Sequence, residues 1–508
     1  MTASTVTGTD RKRRATELIG SLPTGLYING EWAPAADGAT FDVENPATGE
    51  VIANVAKGGQ ADATAAIESA AAHQKSWAAT PPRERSEILR RAYELLLDRQ
   101  DDLALIMTTE MGKPLAEAKG EVAYAAEFFR WFSEEAVRIG GDHTTTGDGK
   151  NRILVTKEPV GPCILITPWN FPLAMGTRKI GPAIAAGCTM VFKPAELTPL
   201  TTLALTEILT RAGLPAGVLN VVTTDDPGSV VETWMDSGLA RKVSFTGSTQ
   251  VGKLLLEQAS RSVMRTSMEL GGNAPFLVFD DADIDKAVDG AMVAKMRNMG
   301  EACTAANRMF VHRSVAAEFA KKLAQRMGAL NVGDGAVDGT DVGPLVEQKA
   351  IDKVRSLVAD AVDRGATILC GGESRTNGDE ADRGDRPSNG YFYLPTVLSG
   401  VDPNSELMGT EIFGPVAPII PFDDEDEVIA LANDTPWGLV GYLFTQDVDR
   451  GLRVSSALEV GMVGLNTGLV SNPAAPFGGV KQSGLGREGG RIGIDEFLEI
   501  KYLAIPRT

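Results

Sequence analysis

"CILITPWNFPLAMGTRKIGPAIAAGCTMVFKPAELTP", residues 163–199, decides the fold. A short β-rich run, "CILIT", stops at a proline. A helix-like stretch follows over residues 173–186, and "CTMVF" is a second β-rich run. The alternation continues with "VLNVV" and "KVSFT", separated by helix-like segments over 200–212 and 228–236. A β-α-β-α-β-α-β order predicts a parallel sheet covered by helices on both faces. Such sheets bind ligands in the loops beyond the carboxyl ends of their strands. Those loops here are "TPWNFP", "KPAELTP" and "TGSTQVG".

Downstream, "APFLVFDDADID" opens a strand and a helix that runs toward Met299, leaving Cys303 in a loop. "RMFVH", "TILCG", "VAPIIPF", "LVGYLFT" and "GMVGLN" are further strands alternating with helices, which makes a second α/β unit. Residues 371–389, rich in Gly, Asp, Arg and Ser, read as a surface loop. Upstream, residues 26–55 carry Asn-Gly, Asp-Gly and Thr-Gly hairpin signals. A helical zone covers residues 62–139, punctuated at Pro81-Pro82 and Gly112-Lys113-Pro114. Its aromatic cluster of Phe128, Phe129, Trp131 and Phe132 reads as core. The first 26 residues read as a polar arm, and their basic residues lack the apolar run of a secretory signal. The closing run "FLEIKYLAIP" is equally compatible with pairing to another subunit's sheet edge and with an internal edge strand.

The chain has 508 residues with 43% hydrophobic and 23% charged, long enough for two or three domains and unlike a disordered protein. A net charge of -18 disfavours nucleic acid and acidic membrane surfaces as partners. Four cysteines without a C-x-x-C pair fit a reducing cytoplasm. Three histidines without a ligand spacing argue against a metal.

Each candidate residue has a plain alternative. Cys303 is a nucleophile or a packed thiol. Asn170, held in a stiff loop, suits an oxyanion hole or a simple turn. Glu269 is a general base or a strand-end carboxylate. Gly247 and Ser248 open a helix whose amino end can take a phosphate, or form an ordinary βα turn. Lys193 and Glu196 hold ribose hydroxyls or are solvated charges. "GLGREG", residues 484–489, matches G-x-G-x-x-G but follows no clear strand of a βαβ unit and is set aside.

"PWNFP", "KPAE", "FTGS", "ELGGNAP", "GEACTAANR", "EIFGPV" and "PFGGVKQSGLGRE" occur in this order, and together they resemble the aldehyde dehydrogenase superfamily over residues 28–502. Residues 166–196 and 476–502 are most similar to the succinate-semialdehyde dehydrogenases within it. The resemblance implies a Rossmann-like NAD(P)-binding domain over 27–141 and 161–270 and a second α/β catalytic domain over 271–480. Residues 142–160 and 481–508 would be oligomerisation or bridging strands of a dimer or tetramer. It implies that Cys303 attacks the aldehyde, that Asn170 and the Cys303 N–H hold the alkoxide, and that Glu269 activates the hydrolytic water. Lys193 and Glu196 would hold the adenosine ribose, Gly247 and Ser248 the pyrophosphate, and Glu411 the nicotinamide ribose. Phe413 would lie beside the ring, with Thr167, Trp169 and Gly228 completing the contacts. Arg178, Arg297 and Ser471 match the substrate-carboxylate contacts. The cofactor is NAD or NADP, with NAD favoured by Glu196, and no metal is implied. The substrate is succinate semialdehyde; glutarate semialdehyde or another aldehyde is the alternative, and a non-redox thiol esterase a third. Two positions depart from the pattern: Glu301 stands where Gln is usual, and Ala305 where some relatives have a second cysteine that would allow a disulfide switch.

Overall fold

The protein's structure, a computed structural model, describes residues 8–375 and 389–507. Its first sheet has eight strands. Five are parallel, in the spatial order Leu219–Val221, Met190–Lys193, Cys163–Ile166, Lys242–Thr246 and Arg265–Glu269. The chain adds strands on one side of Cys163–Ile166, then returns to add them on the other. The order therefore reverses between Cys163–Ile166 and Lys242–Thr246, and a crevice opens at their carboxyl ends. The intervening helix, Ala174–Ala186, is buried along its whole length, Arg178 and Lys179 included.

A hairpin, Leu26–Ile28 with Glu31–Ala33, extends one edge of this sheet, turning at Asn29 and Gly30, both with positive φ. The other edge is closed by Gly484–Leu485, antiparallel to Arg265–Glu269. Gly484 thus begins an antiparallel edge strand, and the "GLGREG" run is not a βα phosphate turn. Residues 484–485 also belong to the first sheet, although they lie in the segment expected to bridge subunits.

The second sheet has seven strands, ordered Thr367–Cys370, Thr396–Ser399, Val416–Phe422, Ala306–His312, Ala274–Val278, Val440–Phe444 and Met462–Leu465. All neighbours are parallel except the first pair. Of the loop expected over 371–389, residues 376–388 lie outside the described residues, while Ser374–Arg375 pairs with Phe392–Tyr393.

Four helices fill the upstream zone: Gln60–Ala78, Pro82–Asp98, Gln100–Met111 and Leu115–Glu135. Pro82 sits in the first turn of its helix and Gly112 ends another in the left-handed conformation, the two roles these residues suit best. Phe128, Phe129 and Phe132 are core residues, as their spacing suggested.

Of the expected polar arm, whose order the sequence left open, residues 1–7 lie outside the described residues and the remainder is less polar than its composition suggested. Gly8–Ser21 is a helix that buries Ala15, Leu18 and Ile19. Its Arg11 and Lys12 pair with Asp338 and Asp334. Four basic residues in the first turns hid an apolar stripe at helical spacing. The closing strand, Leu498–Pro506, pairs within the chain along Asn151–Pro159, which in turn pairs with Asp142–Thr145. Among the described residues no helix is long and apolar enough to cross a membrane.

Candidate active site

The carboxyl ends of the first sheet's strands meet the amino ends of the second sheet's strands at one cavity of about 320 Å³. From the first sheet come Trp169 and Asn170, Gly247 and Ser248, and Glu269. The second sheet and its loops supply Cys303, Glu411, Phe413 and Ser471, and two helices present Arg178 and Arg297. Eleven of the fifteen anticipated residues therefore meet.

Thr167, Lys193, Glu196 and Gly228 do not line the cavity. Thr167 is buried behind it, its N–H on the Lys193 carbonyl. Lys193 and Glu196 are ion-paired at 2.8 Å at the end of the next strand. Gly228 is exposed in the first turn of Pro227–Asp236. All four follow parallel strands of the first sheet, on the same carboxyl-end rim.

Cys303 reaches the cavity through a broken helix. Ile284–Met296 ends earlier than its periodicity suggested, because Asn298, Met299 and Gly300 adopt positive φ. Gly300 is required there: a Cβ would lie 2.2 Å from the Gly414 carbonyl oxygen. Gly272 lets the Cys303 carbonyl approach to 2.7 Å of where its Cβ would be. Phe413, also at positive φ, meets Trp169 edge to face with ring centroids 5.4 Å apart. Three of the seven non-glycine residues at positive φ among the described residues, Asn298, Met299 and Phe413, lie in this loop or beside it, and such strain often marks a functional site. Burial pushes the Cys303 thiol up to about 12, with Glu411 and Glu269 adding to the effect and Arg178 and Arg297 opposing it.

Asn170 is held from several sides. Its Nδ2 donates to the Glu301 carbonyl at 2.9 Å, leaving one amide N–H to serve a ligand. Its own carbonyl accepts from Lys113 Nζ at 2.9 Å and from Asn298 Nδ2 at 3.0 Å. Lys113 is paired with Glu121, whose other oxygen caps the helix Ala174–Ala186 at the Leu173 and Ala174 N–H groups. These supports were not picked out in the sequence. The only local signs were a lysine beside a helix-ending glycine and a glutamate on an otherwise apolar helix face.

Glu269 ends its strand buried, with Oε2 lacking a hydrogen-bond partner. Gly478 faces it, where a Cβ would stand 2.8 Å from Oε1. Desolvation and then the neighbouring Glu488 carboxylate raise its pKa well above the ordinary range, against Arg178 and Lys179. Glu488 itself pairs with Arg178 at 2.9 Å and Lys179 at 2.6 Å. Glu411 accepts the Gly272 N–H at 3.1 Å, and burial lifts it to about 7. Lys353, another residue the sequence did not single out, lines the cavity near it.

The two arginines differ. Arg178 is fully buried, ion-paired to Glu488, and stacked on Phe477 at 4.0 Å, so the fold already employs its charge. Arg297 is half-buried, donates to Ser471 Oγ at 3.2 Å and lies over Phe171 at 4.8 Å. It stands at a waist where the cavity meets a second cleft lined by Glu117, Tyr124, Met292 and Leu469. Glu301 does not face the thiol: its Oε1 accepts the Val346 N–H at 3.2 Å, on the far side of the loop.

A thiol, a free amide N–H, a buried carboxyl and an accessible guanidinium in one partly closed cavity suit covalent chemistry on a carbonyl of an anionic molecule. Residues 32–503 match the family model described as the aldehyde dehydrogenase family, and the chain belongs to that family. It is 58% identical to a succinate-semialdehyde dehydrogenase of Paenarthrobacter nicotinovorans, over 90% of this chain and 99% of that one. A glutarate-semialdehyde dehydrogenase of Pseudomonas putida is 52% identical, over 94% and 97%. The crystal structure of an Escherichia coli NADP-dependent enzyme superposes with a TM-score of 0.93 at 49% identity, over 97% and 99%.

Proposed function

We propose that the chain oxidises succinate semialdehyde to succinate with NAD+ or NADP+. The observation that carries this reading is the shared cavity: Cys303, Asn170 and Glu269 all line it, and Arg297, hydrogen-bonded to Ser471, lines both it and the adjoining cleft. The Cys303 sulfur, as thiolate, attacks the aldehyde carbon to give a thiohemiacetal. Asn170's free amide N–H and the Cys303 backbone N–H steady the oxygen as it gains charge. A bound nicotinamide supplies the hydride acceptor, and the carbon is left as a thioester on Cys303. Glu269 takes a proton from water, whose hydroxide oxygen displaces the thiolate and releases the carboxylic acid.

The cofactor fits the first sheet's rim. Gly247 leaves room beside the amino end of Thr249–Ser260, where Ser248 caps the Val251 N–H at 3.3 Å. Glu411 and Phe413 would hold the nicotinamide end, and Lys193 with Glu196 the adenosine ribose, joined by Thr167, Trp169 and Gly228 along that rim. Glu196 is 42% exposed and its carboxylate disfavours a 2′-phosphate, so we favour NAD; Lys193 leaves NADP usable.

Arg297 is the main anchor for the substrate carboxylate, with Arg178 as a second positive wall. One methylene shifts discrimination by only about 1–3 kcal/mol, so glutarate semialdehyde is the second reading, in keeping with the relative that bears that name. We further propose the domain division stated above, with residues 8–21 a packed helix. Self-association would use the ribbon edge at Leu498–Pro506, where Ile500, Tyr502 and Leu503 are more than half exposed. We place the protein in the cytoplasm, where its four free cysteines stay reduced.

The test is absorbance of reduced cofactor on mixing protein, succinate semialdehyde and either NAD+ or NADP+. No reduced cofactor with either would sink the proposal, and a higher kcat/KM for glutarate semialdehyde would select the second reading.

A further inference from the structure

Glu301 is a buried carboxyl that the chemistry above does not use. It is fully buried, Oε1 accepts only the Val346 N–H, and Oε2 has no hydrogen-bond partner. Among the described residues no cation lies within ion-pair distance of it; Lys113 and Lys353 act from further away, and Glu347 adds like charge. A carboxylate so placed is expensive to ionise, and the neutral acid is the stable form. Desolvation accordingly raises its pKa well above the ordinary range.

The main chain of the same residue holds the neighbouring site. Its carbonyl accepts from Asn170 Nδ2 at 2.9 Å and from Asn298 Nδ2 at 3.0 Å, and its N–H donates to the Asn298 carbonyl at 2.8 Å. The segment that carries Val346 is itself packed onto the residues behind Asn170. A Cβ at Gly343 would stand 2.0 Å from the Gly112 carbonyl oxygen, next to Lys113, which donates to the Asn170 carbonyl. Val346, Glu301, Asn170, Lys113 and Gly112 therefore close a ring of contacts around the Cys303 loop.

We propose that Glu301 is a positioning residue: an uncharged carboxyl that acts as an amide would, closing this ring and setting the Asn170 amide against Cys303. The proposal rests on the function given above. Glu301→Gln keeps the acceptor for Val346 and removes the titration. It should retain kcat within about twofold on succinate semialdehyde. Glu301→Ala opens the ring and should lower kcat roughly tenfold or more on succinate semialdehyde and propanal alike, with KM little changed.

A second readout needs no turnover. Below the ordinary glutamate value both folded and unfolded chains are protonated, and stability is at its fullest. As pH rises through that value the unfolded chain ionises first. The wild type then loses about tenfold in its folding equilibrium per pH unit until the folded group titrates, and the Gln variant does not. The Tm advantage of Glu301→Gln should therefore widen as pH rises above about 5. A pH-independent Tm difference, or a Gln variant as slow as the Ala variant, would overturn the proposal. Inactivity of the wild type toward every aldehyde would instead condemn the proposed function, and the Tm series separates the two failures.

Discussion

Alkylation of Cys303 in cofactor-free protein tests the electrostatics of the site. Burial pushes the thiol from its ordinary value of 9.0 up to about 12, which corresponds to about 4 kcal/mol favouring the neutral form. At pH 7.5 the thiolate fraction is then on the order of three in 100,000, and only the thiolate reacts. The iodoacetamide rate at Cys303, followed by peptide mass spectrometry, should rise tenfold per pH unit from about pH 7 to beyond about pH 10 without levelling. A free cysteine levels off above about pH 9.5. The sign of each neighbour is set by the same cavity. Glu411→Gln removes an anion that raises the thiol and should speed alkylation wherever Glu411 is ionised, above about pH 7. Arg178→Gln removes the largest opposing charge and should slow it at every pH. A plateau below pH 9 in the wild type would refute this account, and would mean that the empty cavity already stabilises the thiolate.

Three further outcomes follow from the geometry. Arg297→Ala should cut kcat/KM for a carboxylated aldehyde about 10- to 150-fold, the worth of a charge-assisted hydrogen bond of about 1.5–3 kcal/mol, and leave propanal within a few-fold; equal losses on both would remove Arg297 from substrate recognition. Lys113→Met strands the buried Glu121 and should cost about 3–5 kcal/mol in urea unfolding while slowing kcat on all aldehydes; an unchanged kcat would free Asn170 from this support. Thioester hydrolysis should accelerate as pH rises past the ordinary carboxylate range, because the raised Glu269 must ionise to accept a proton. Glu488→Gln should shift that limb to lower pH by removing the neighbouring anion; a limb that does not move in a pH–rate profile would count against the coupling.

The fold was legible because its strands are short β-rich runs separated by helical spacing, and "CILIT" and "CTMVF" became neighbouring parallel strands. The candidate residues were legible for a related reason: most follow such a strand, where a parallel sheet gathers its loops. What escaped depends on contacts distant in sequence. Lys113 and Asn170 are 57 residues apart, and Lys179 and Glu488 are 309 apart. A local pattern carries no trace of such pairs. Glu301 drew attention as an unusual letter, but its orientation away from Cys303 depends on a backbone N–H at Val346, 45 residues on. The first helix was misread because Arg11 to Arg14 dominate its composition, while Leu18 and Ile19 carry its packing.

The first sheet is finished by Gly484–Leu485, hydrogen-bonded to the strand that ends in Glu269, and Glu488 follows three residues later. On a ribosome this has a temporal meaning. Glu269 emerges 219 residues ahead of Glu488, which at about 5–20 residues per second is a delay of roughly 10 to 40 s. Through that interval the strand Arg265–Glu269 has a bare edge, and Arg178 and Lys179 lack their counter-charge. The nascent chain therefore carries an incomplete sheet until residues 484–485 are made, so a chain truncated before residue 484 should be prone to edge-to-edge aggregation.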